Sequence, residues 1–182
     1  MRIRLLGYRC TGKTSVGRAL AERLGIAFWD ADEELEARWG KSVREIIEEG
    51  GWELFRVKER EVTKELLALD PALIALGGGA VLDPRTRREL RSRGVNVWLA
   101  ASPTTILERM AHDPKNPSRR PALGSLGPEE EVRTLLRERE SLYEEVAHFK
   151  VVTDHKSVEE IVGEILLRLS EGSSNHSSNG SG

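Results

Sequence analysis

The chain has 182 residues, 38% of them hydrophobic, and a formal net charge of −2, which suits one domain with a substantial core and offers no basic footprint for nucleic acid. Its single cysteine excludes an internal disulfide framework and suits a reducing cytosol. No apolar run is long enough to span a bilayer, and Arg2 and Arg4 are not followed by the apolar core of a signal peptide, so a cytoplasmic protein with no membrane or nucleic-acid partner is expected.

Ile3 to Leu6 reads as a first strand, and Gly7-Tyr8-Arg9-Cys10-Thr11-Gly12-Lys13-Thr14 follows it. That octapeptide fits G-x-x-x-x-G-K-[ST], the phosphate-binding loop. A helix pattern comes next, with Val16, Leu20 and Leu24 on one face and Ala19 beside them. Strand, loop and helix in this order are the context the motif requires. Backbone N–H groups of such a loop wrap phosphate oxygens, and the helix N-terminus adds positive field. Gly7, Arg9, Cys10, Thr11, Gly12, Lys13, Thr14 and Ser15 are therefore candidate ATP-binding residues. Lys13 would neutralise the β- and γ-phosphates, and the Thr14 hydroxyl would ligate Mg²⁺. Cys10 is expected to pack as a small side chain.

Ile26 to Trp29 reads as the second strand and is the one strand that ends in acid, at Asp30 and Asp32. One of the pair could hold Mg²⁺ while the other accepts a hydrogen bond from an acceptor hydroxyl. Capping of the next helix is the competing explanation, since acidic residues favour its first turn. Roughly forty residues then separate Trp29 from Ala72, where a crossover needs about a dozen. Residues 31–70, rich in Glu, Arg and helix formers, are expected to form inserted helices. Within them Arg56 and Glu59 lie one turn apart, beside Phe55 and Val62. They could pair with each other, or Arg56 could offer a fork to a substrate carboxylate with Glu59 orienting it.

Ala72 to Leu76, the third strand, runs into Gly77-Gly78-Gly79. A tight turn needs one or two glycines; three favour close approach of backbone to a ligand, with bare N–H donors. Asp83-Pro84, Ser102-Pro103 and Gly127-Pro128 read as helix starts, and Val95 to Leu99 as the fourth strand. Residues 112–127 hold too much proline for a helix and suit a lid, in which Arg119 or Arg120 could close on a transferring phosphoryl group or simply face solvent. The helix from Pro128 is expected to bury Val132, Leu135, Leu136, Leu142, Tyr143 and Val146, and Arg139 falls on that same stripe. An inward arginine needs an anionic partner, either a substrate or a carboxylate of the inserted helices. Arg137 points elsewhere, to solvent. Phe149 to Val152 is the fifth strand, Ser157 to Glu160 a capping box, and residues 170–182 a flexible tail. The four histidines are scattered and suggest no metal cluster.

Five strands alternating with helices imply an α/β domain over residues 1–169, a parallel sheet covered on both faces. Ligands of such sheets bind beyond the carboxyl ends of the strands, where the phosphate loop, the two aspartates and the glycines would meet. A gluconate kinase or another small-metabolite kinase is the nearest alternative.

The ordered set of phosphate loop, Asp30-x-Asp32, Phe55-Arg56, Gly77-Gly78-Gly79-Ala80, Arg120-Pro121 and Arg139-x-x-x-Tyr143 resembles the shikimate kinase family, over Ile3 to Leu169. The resemblance implies a three-layer αβα fold with a five-stranded parallel sheet, like the nucleoside-monophosphate kinases, with a helical substrate-binding insert and a lid. It implies transfer of a phosphoryl group from ATP to shikimate with Mg²⁺ as cofactor, in a monomer. Lys13, Asp32 and Arg120 would be catalytic. Thr14 and Asp30 would serve the metal, and Arg109 would lie against the adenine ring. Arg56 and Arg139 would grip the shikimate carboxylate, with Asp32, Glu59, Gly77, Gly78 and Gly79 completing that subsite. The family commonly has glycine where this chain has Cys10 and glutamate where it has Trp52. Extra Pro and Asn precede Arg120, which leaves Arg119 as its alternative.

Overall fold

A computed structural model describes residues 1–113 and 127–174. Most of the expected lid, with Arg119 and Arg120, lies outside the described residues. In chain order the elements are β1 (Arg2–Leu6), α1 (Lys13–Leu24), β2 (Phe28–Asp30), α2 (Ala31–Trp39), α3 (Val43–Leu67), β3 (Ala72–Ala75), a short 3-10 turn (Ala80–Leu82), α4 (Pro84–Leu90), β4 (Val95–Ala100), α5 (Pro103–His112), α6 (Pro128–Val146), β5 (Phe149–Val152) and α7 (Val158–Ser174). The five strands form one parallel sheet in the order β2-β3-β1-β4-β5.

Alternation along the strands feeds two cores. Ile3, Leu5, Leu73, Val97, Leu99 and Val151 pack with Val16 and Leu20 of α1 and Ile161, Val162 and Ile165 of α7. Leu6, Ile74, Leu76 and Trp98 face the other way, against Leu35, Phe55, Val62, Tyr143 and Val146 from α2, α3 and α6. Two polar residues break the apolar pattern on that second face. Asn96 is buried, and its amide donates to the carbonyls of Leu90 and Val146, 2.8 Å each. It thereby ties the ends of α4 and α6 to β4. Arg4, 1% exposed, donates to the Arg93 carbonyl and lies 3.5 Å from the Asn96 amide oxygen. Burial, helped by the charge of Arg2, pulls its pKa down to about 10.

Expected helix starts are found at Asp83-Pro84, Ser102-Pro103 and Gly127-Pro128, each with proline in the first turn. Residues 31–70 do form helices. Ser42 and Glu45 make a capping box at the start of α3, and Ser157 and Glu160 exchange the same bonds ahead of α7. Three features depart from expectation by more than a one-residue shift. β2 begins at Phe28 because Gly25 ends α1 in the left-handed region and the Ile26 N–H is bonded back to the Ala21 carbonyl, 3.1 Å. α3 is bent at Gly51, where φ is 73° and ψ 177°. α7 continues to Ser174, so the polar segment from Ser170 starts as helix.

Candidate active site

β1 lies between β3 and β4, so the loop leaving it emerges at the point where the strand order reverses, the usual ligand crevice of an open α/β sheet. Gly7 has φ +141°, and a Cβ there would collide with the Leu99 carbonyl. Gly12 has φ +96°. Cys10 also takes a positive φ, 60°, without being glycine, while its side chain packs beside Tyr8, Ile106, Met110 and Val132 as a small residue. Thr11 turns its hydroxyl onto the Tyr8 carbonyl at 2.8 Å and so closes the loop on itself. A cavity of about 430 Å³ opens over the loop, bounded by Gly12, Lys13, Thr14, Asp30, Asp32 and Gly78. Arg9, Cys10 and Ser15 border it too.

Lys13 curls over the loop, its Nζ donating to the carbonyls of Gly7 (2.8 Å) and Tyr8 (2.7 Å). Thr14 Oγ1 donates to Asp30 Oδ2 at 2.7 Å. Asp30 Oδ1 accepts from the backbone N–H groups of Asp32 (3.0 Å) and Glu33 (3.3 Å). Asp30 thus caps α2, as the competing sequence explanation has it, while its other carboxylate oxygen meets the Thr14 hydroxyl. Burial, then the neighbouring Asp32 carboxylate, push the Asp30 pKa up against the opposing Thr14 hydrogen bond. A hydroxyl and a buried carboxylate, both oxygen donors, suit a hard cation, which would relieve that burial cost. Among the described residues no group of three or more His, Cys, Asp or Glu is clustered for a metal.

The three glycines each make room for something different, and none has a positive φ. A Cβ on Gly77 would stand 2.5 Å from Glu59 Oε1 and 3.3 Å from Asp32 Oδ1, so two carboxylates converge on it. A Cβ on Gly78 would press on the phosphate loop, 3.3 Å from the Gly7 carbonyl oxygen. A Cβ on Gly79 would overlap the Arg56 guanidinium. Side chains and loop backbone, not only a ligand, therefore account for the triplet. Arg56 donates to Glu59 Oε2, so this pair does form.

Arg139 points inward as its spacing requires and is 4% exposed. Its Nη1 donates to the Gly78 carbonyl at 3.2 Å, the same oxygen that Tyr143 Oη donates to at 2.6 Å. The guanidinium also lies 5.7 Å from the Tyr8 ring centroid. No carboxylate pairs with Arg139 among the described residues, so the salt bridge to the inserted helices is not formed. Arg137, by contrast, is exposed. Leu135, Leu136 and Leu142 are only partly buried.

Arg109 sits behind the loop. Its guanidinium donates to the Cys10 carbonyl (3.2 Å), the Thr153 hydroxyl (3.0 Å) and the Thr153 carbonyl (2.8 Å). Sequence reasoning missed Thr153 and its neighbour Asp154, although both follow β5 and so lie on the ligand rim. Asp154 accepts from the Ser102 N–H (3.0 Å) and the Thr105 hydroxyl (2.6 Å). It also missed Glu131, which is buried in the first turn of α6 and pairs with Arg9 at 3.0 Å. No pattern separates Glu131 from its neighbours Glu129 and Glu130; only the packed helix does.

A phosphate cradle that shares a rim with two inward-held guanidinium groups defines a P-loop phosphotransferase built like the nucleoside-monophosphate kinases. Residues 9–170 match the family model described as shikimate kinase, and the chain belongs to the shikimate kinase family. A shikimate kinase of Symbiobacterium thermophilum is 41% identical over 171 residues, 94% of this chain and 97% of that protein. The structure of a shikimate kinase from Acinetobacter baumannii in complex with shikimate superposes with a TM-score of 0.86 at 38% identity, covering 93% of each chain. A gluconokinase from Sinorhizobium meliloti, 23% identical with a TM-score of 0.61 over 99% of this chain and 97% of that one, shares the fold alone.

Proposed function

We propose that the chain transfers the γ-phosphoryl group of ATP to the 3-hydroxyl of shikimate, giving ADP and shikimate 3-phosphate. One observation carries the reading: Arg139 is buried without a carboxylate partner among the described residues, and its Nη1 donates to the carbonyl of Gly78, a residue that also borders the cavity over the phosphate loop. A desolvated guanidinium in that place is made for an anionic ligand. Arg56, next to Gly79, supplies the second fork for the carboxylate, and Glu59 fixes its direction.

Asp32 accepts the hydrogen bond of the acceptor hydroxyl and aims its oxygen at the γ-phosphorus. The new P–O bond forms to that oxygen, the bond from the γ-phosphorus to the β–γ bridging oxygen breaks, and the hydroxyl proton leaves through Asp32. Lys13 leaves the Gly7 and Tyr8 carbonyls for the phosphates, where its charge offsets the developing negative charge. Thr14 and Asp30 would hold Mg²⁺, which neutralises the β- and γ-phosphates when bound. Arg109, anchored on Thr153, lies against the adenine ring, and Arg120 completes the phosphate site. ATP supply and the single free thiol fit a cytoplasmic enzyme.

Release of ADP, followed by a coupled assay across shikimate, gluconate and nucleoside monophosphates, tests this. Turnover is expected with shikimate and only weakly with the others. The opposite preference overturns the assignment.

A further inference from the structure

Trp52 owes its place to the break in α3. Gly51 takes a backbone conformation that glycine populates freely (φ 73°), and the helix resumes with Trp52. Helical spacing from there brings Trp52, Phe55 and Arg56 to one face. The Arg56 guanidinium carbon lies 5.5 Å from the Trp52 ring centroid and 5.2 Å from that of Phe55. The two rings meet edge to face, centroids 5.9 Å apart. Glu59 pairs with Arg56 from the next turn, and Gly79, at the start of the 3-10 turn beyond β3, closes the slot.

We propose that Trp52 is a positioning residue for acid recognition, its indole face holding the Arg56 guanidinium so that an N–H edge remains for the substrate carboxylate. This rests on the functional reading above. A ring attracts a cation through its quadrupole and accepts none of its in-plane N–H bonds. Trp52 can therefore orient Arg56 without competing with a carboxylate for its donors, whereas a second acidic side chain would occupy them. Phe55 is fully buried and cannot adjust; Trp52, just past the bend, is half-buried. The two rings and Glu59 leave the guanidinium few orientations, which lowers the ordering cost of gripping a ligand.

Steady-state kinetics of wild type, Trp52→Phe and Trp52→Leu, with shikimate and ATP varied separately, test the proposal. Trp52→Phe keeps a ring and is expected to hold the shikimate KM within about threefold; Trp52→Leu keeps only apolar bulk and should raise it about five- to twentyfold. KM for ATP and kcat should move less than about twofold in either. In an Arg56→Ala background the Trp52→Leu effect on kcat/KM should vanish, because the ring acts through that guanidinium. Equal behaviour of Phe and Leu, a matching rise in the ATP KM, or an effect that persists without Arg56 overturns the proposal. A wild type inactive on shikimate overturns the functional reading, and this proposal with it; an active wild type isolates Trp52.

Discussion

Arg139 and Gly79 show how closely the wall beside the phosphate loop is cut. Gly79 has no room for a methyl group because the Arg56 guanidinium fills the space, and Arg139 is fixed by a carbonyl it shares with Tyr143. Replacing Arg139 by Ala should weaken shikimate binding by at least about tenfold, the loss of one charged bidentate contact. ATP affinity should stay within about twofold, because Lys13, Thr14 and Asp30 do not touch this side chain. Calorimetry with each ligand checks it, and equal losses for both would remove Arg139 from its assigned place. At this scale much could be read in advance. Arg139 stood out because a charge lay on an apolar stripe, and Gly77 to Gly79 because three glycines exceed what a turn requires. What approached each glycine was not legible, since Glu59, Arg56 and the Gly7 carbonyl come from three other stretches of chain.

Elements are held at the rim by polar side chains that sit one or two residues past a strand. Asp154 follows β5 and binds the start of α5 through Ser102 and Thr105, which keeps Thr153 under Arg109. Burial works against its charge, but the hydrogen bonds from Ser102 and Thr105 outweigh it and bring its pKa down to about 2. An aspartate in the unfolded chain titrates near 3.9. A depressed native pKa adds stability that is complete above the unfolded value and disappears as pH falls through the native one. Asp154→Asn should therefore cost about 1 kcal/mol at pH 7, because solvent screens this partly exposed carboxylate. The gap to wild type should close between about pH 4 and about pH 2, measured by urea unfolding at each pH. A gap that stays constant over that interval would show that the carboxylate charge is irrelevant. Prolines and capping residues made the helix starts readable, because they act within one turn. The bend at Gly51 was not readable: Gly50 and Gly51 both lie inside a run of helix formers, and only the folded chain shows which of the two leaves the helical conformation. Arg4 was equally hidden, since its carbonyl and amide partners are brought by β4.

Across the molecule, the phosphate loop and the Arg56–Arg139 wall proposed for the acid share one rim of one sheet, so either ligand should brace the whole domain. A ligand at about a hundred times its Kd adds about 2.7 kcal/mol to the native state, or a rise in Tm of about 5–10 °C for a domain of this size. Shikimate and a non-hydrolysable ATP analogue should each produce such a rise in thermal melts, and gluconate should not. A flat response to shikimate would contradict the proposed acceptor. Alternating strands and helices announced a parallel sheet, but the order β2-β3-β1-β4-β5 depends on pairings between distant segments that periodicity does not encode.

That order has a bearing on how the protein is born. β1 pairs with β3 and β4, and β2 pairs with β3, so neither of the first two strands has a partner until Ala72 to Ala75 has been made. A nascent chain carrying the phosphate loop must wait as helices and unpaired segments while the ribosome adds the third strand. Only then can the centre of the sheet zip together, and parallel closure over such spans is slow. During that interval Ile3 to Leu6, apolar but for Arg4, has open edges, and it is the stretch through which a trapped or truncated chain would begin to aggregate.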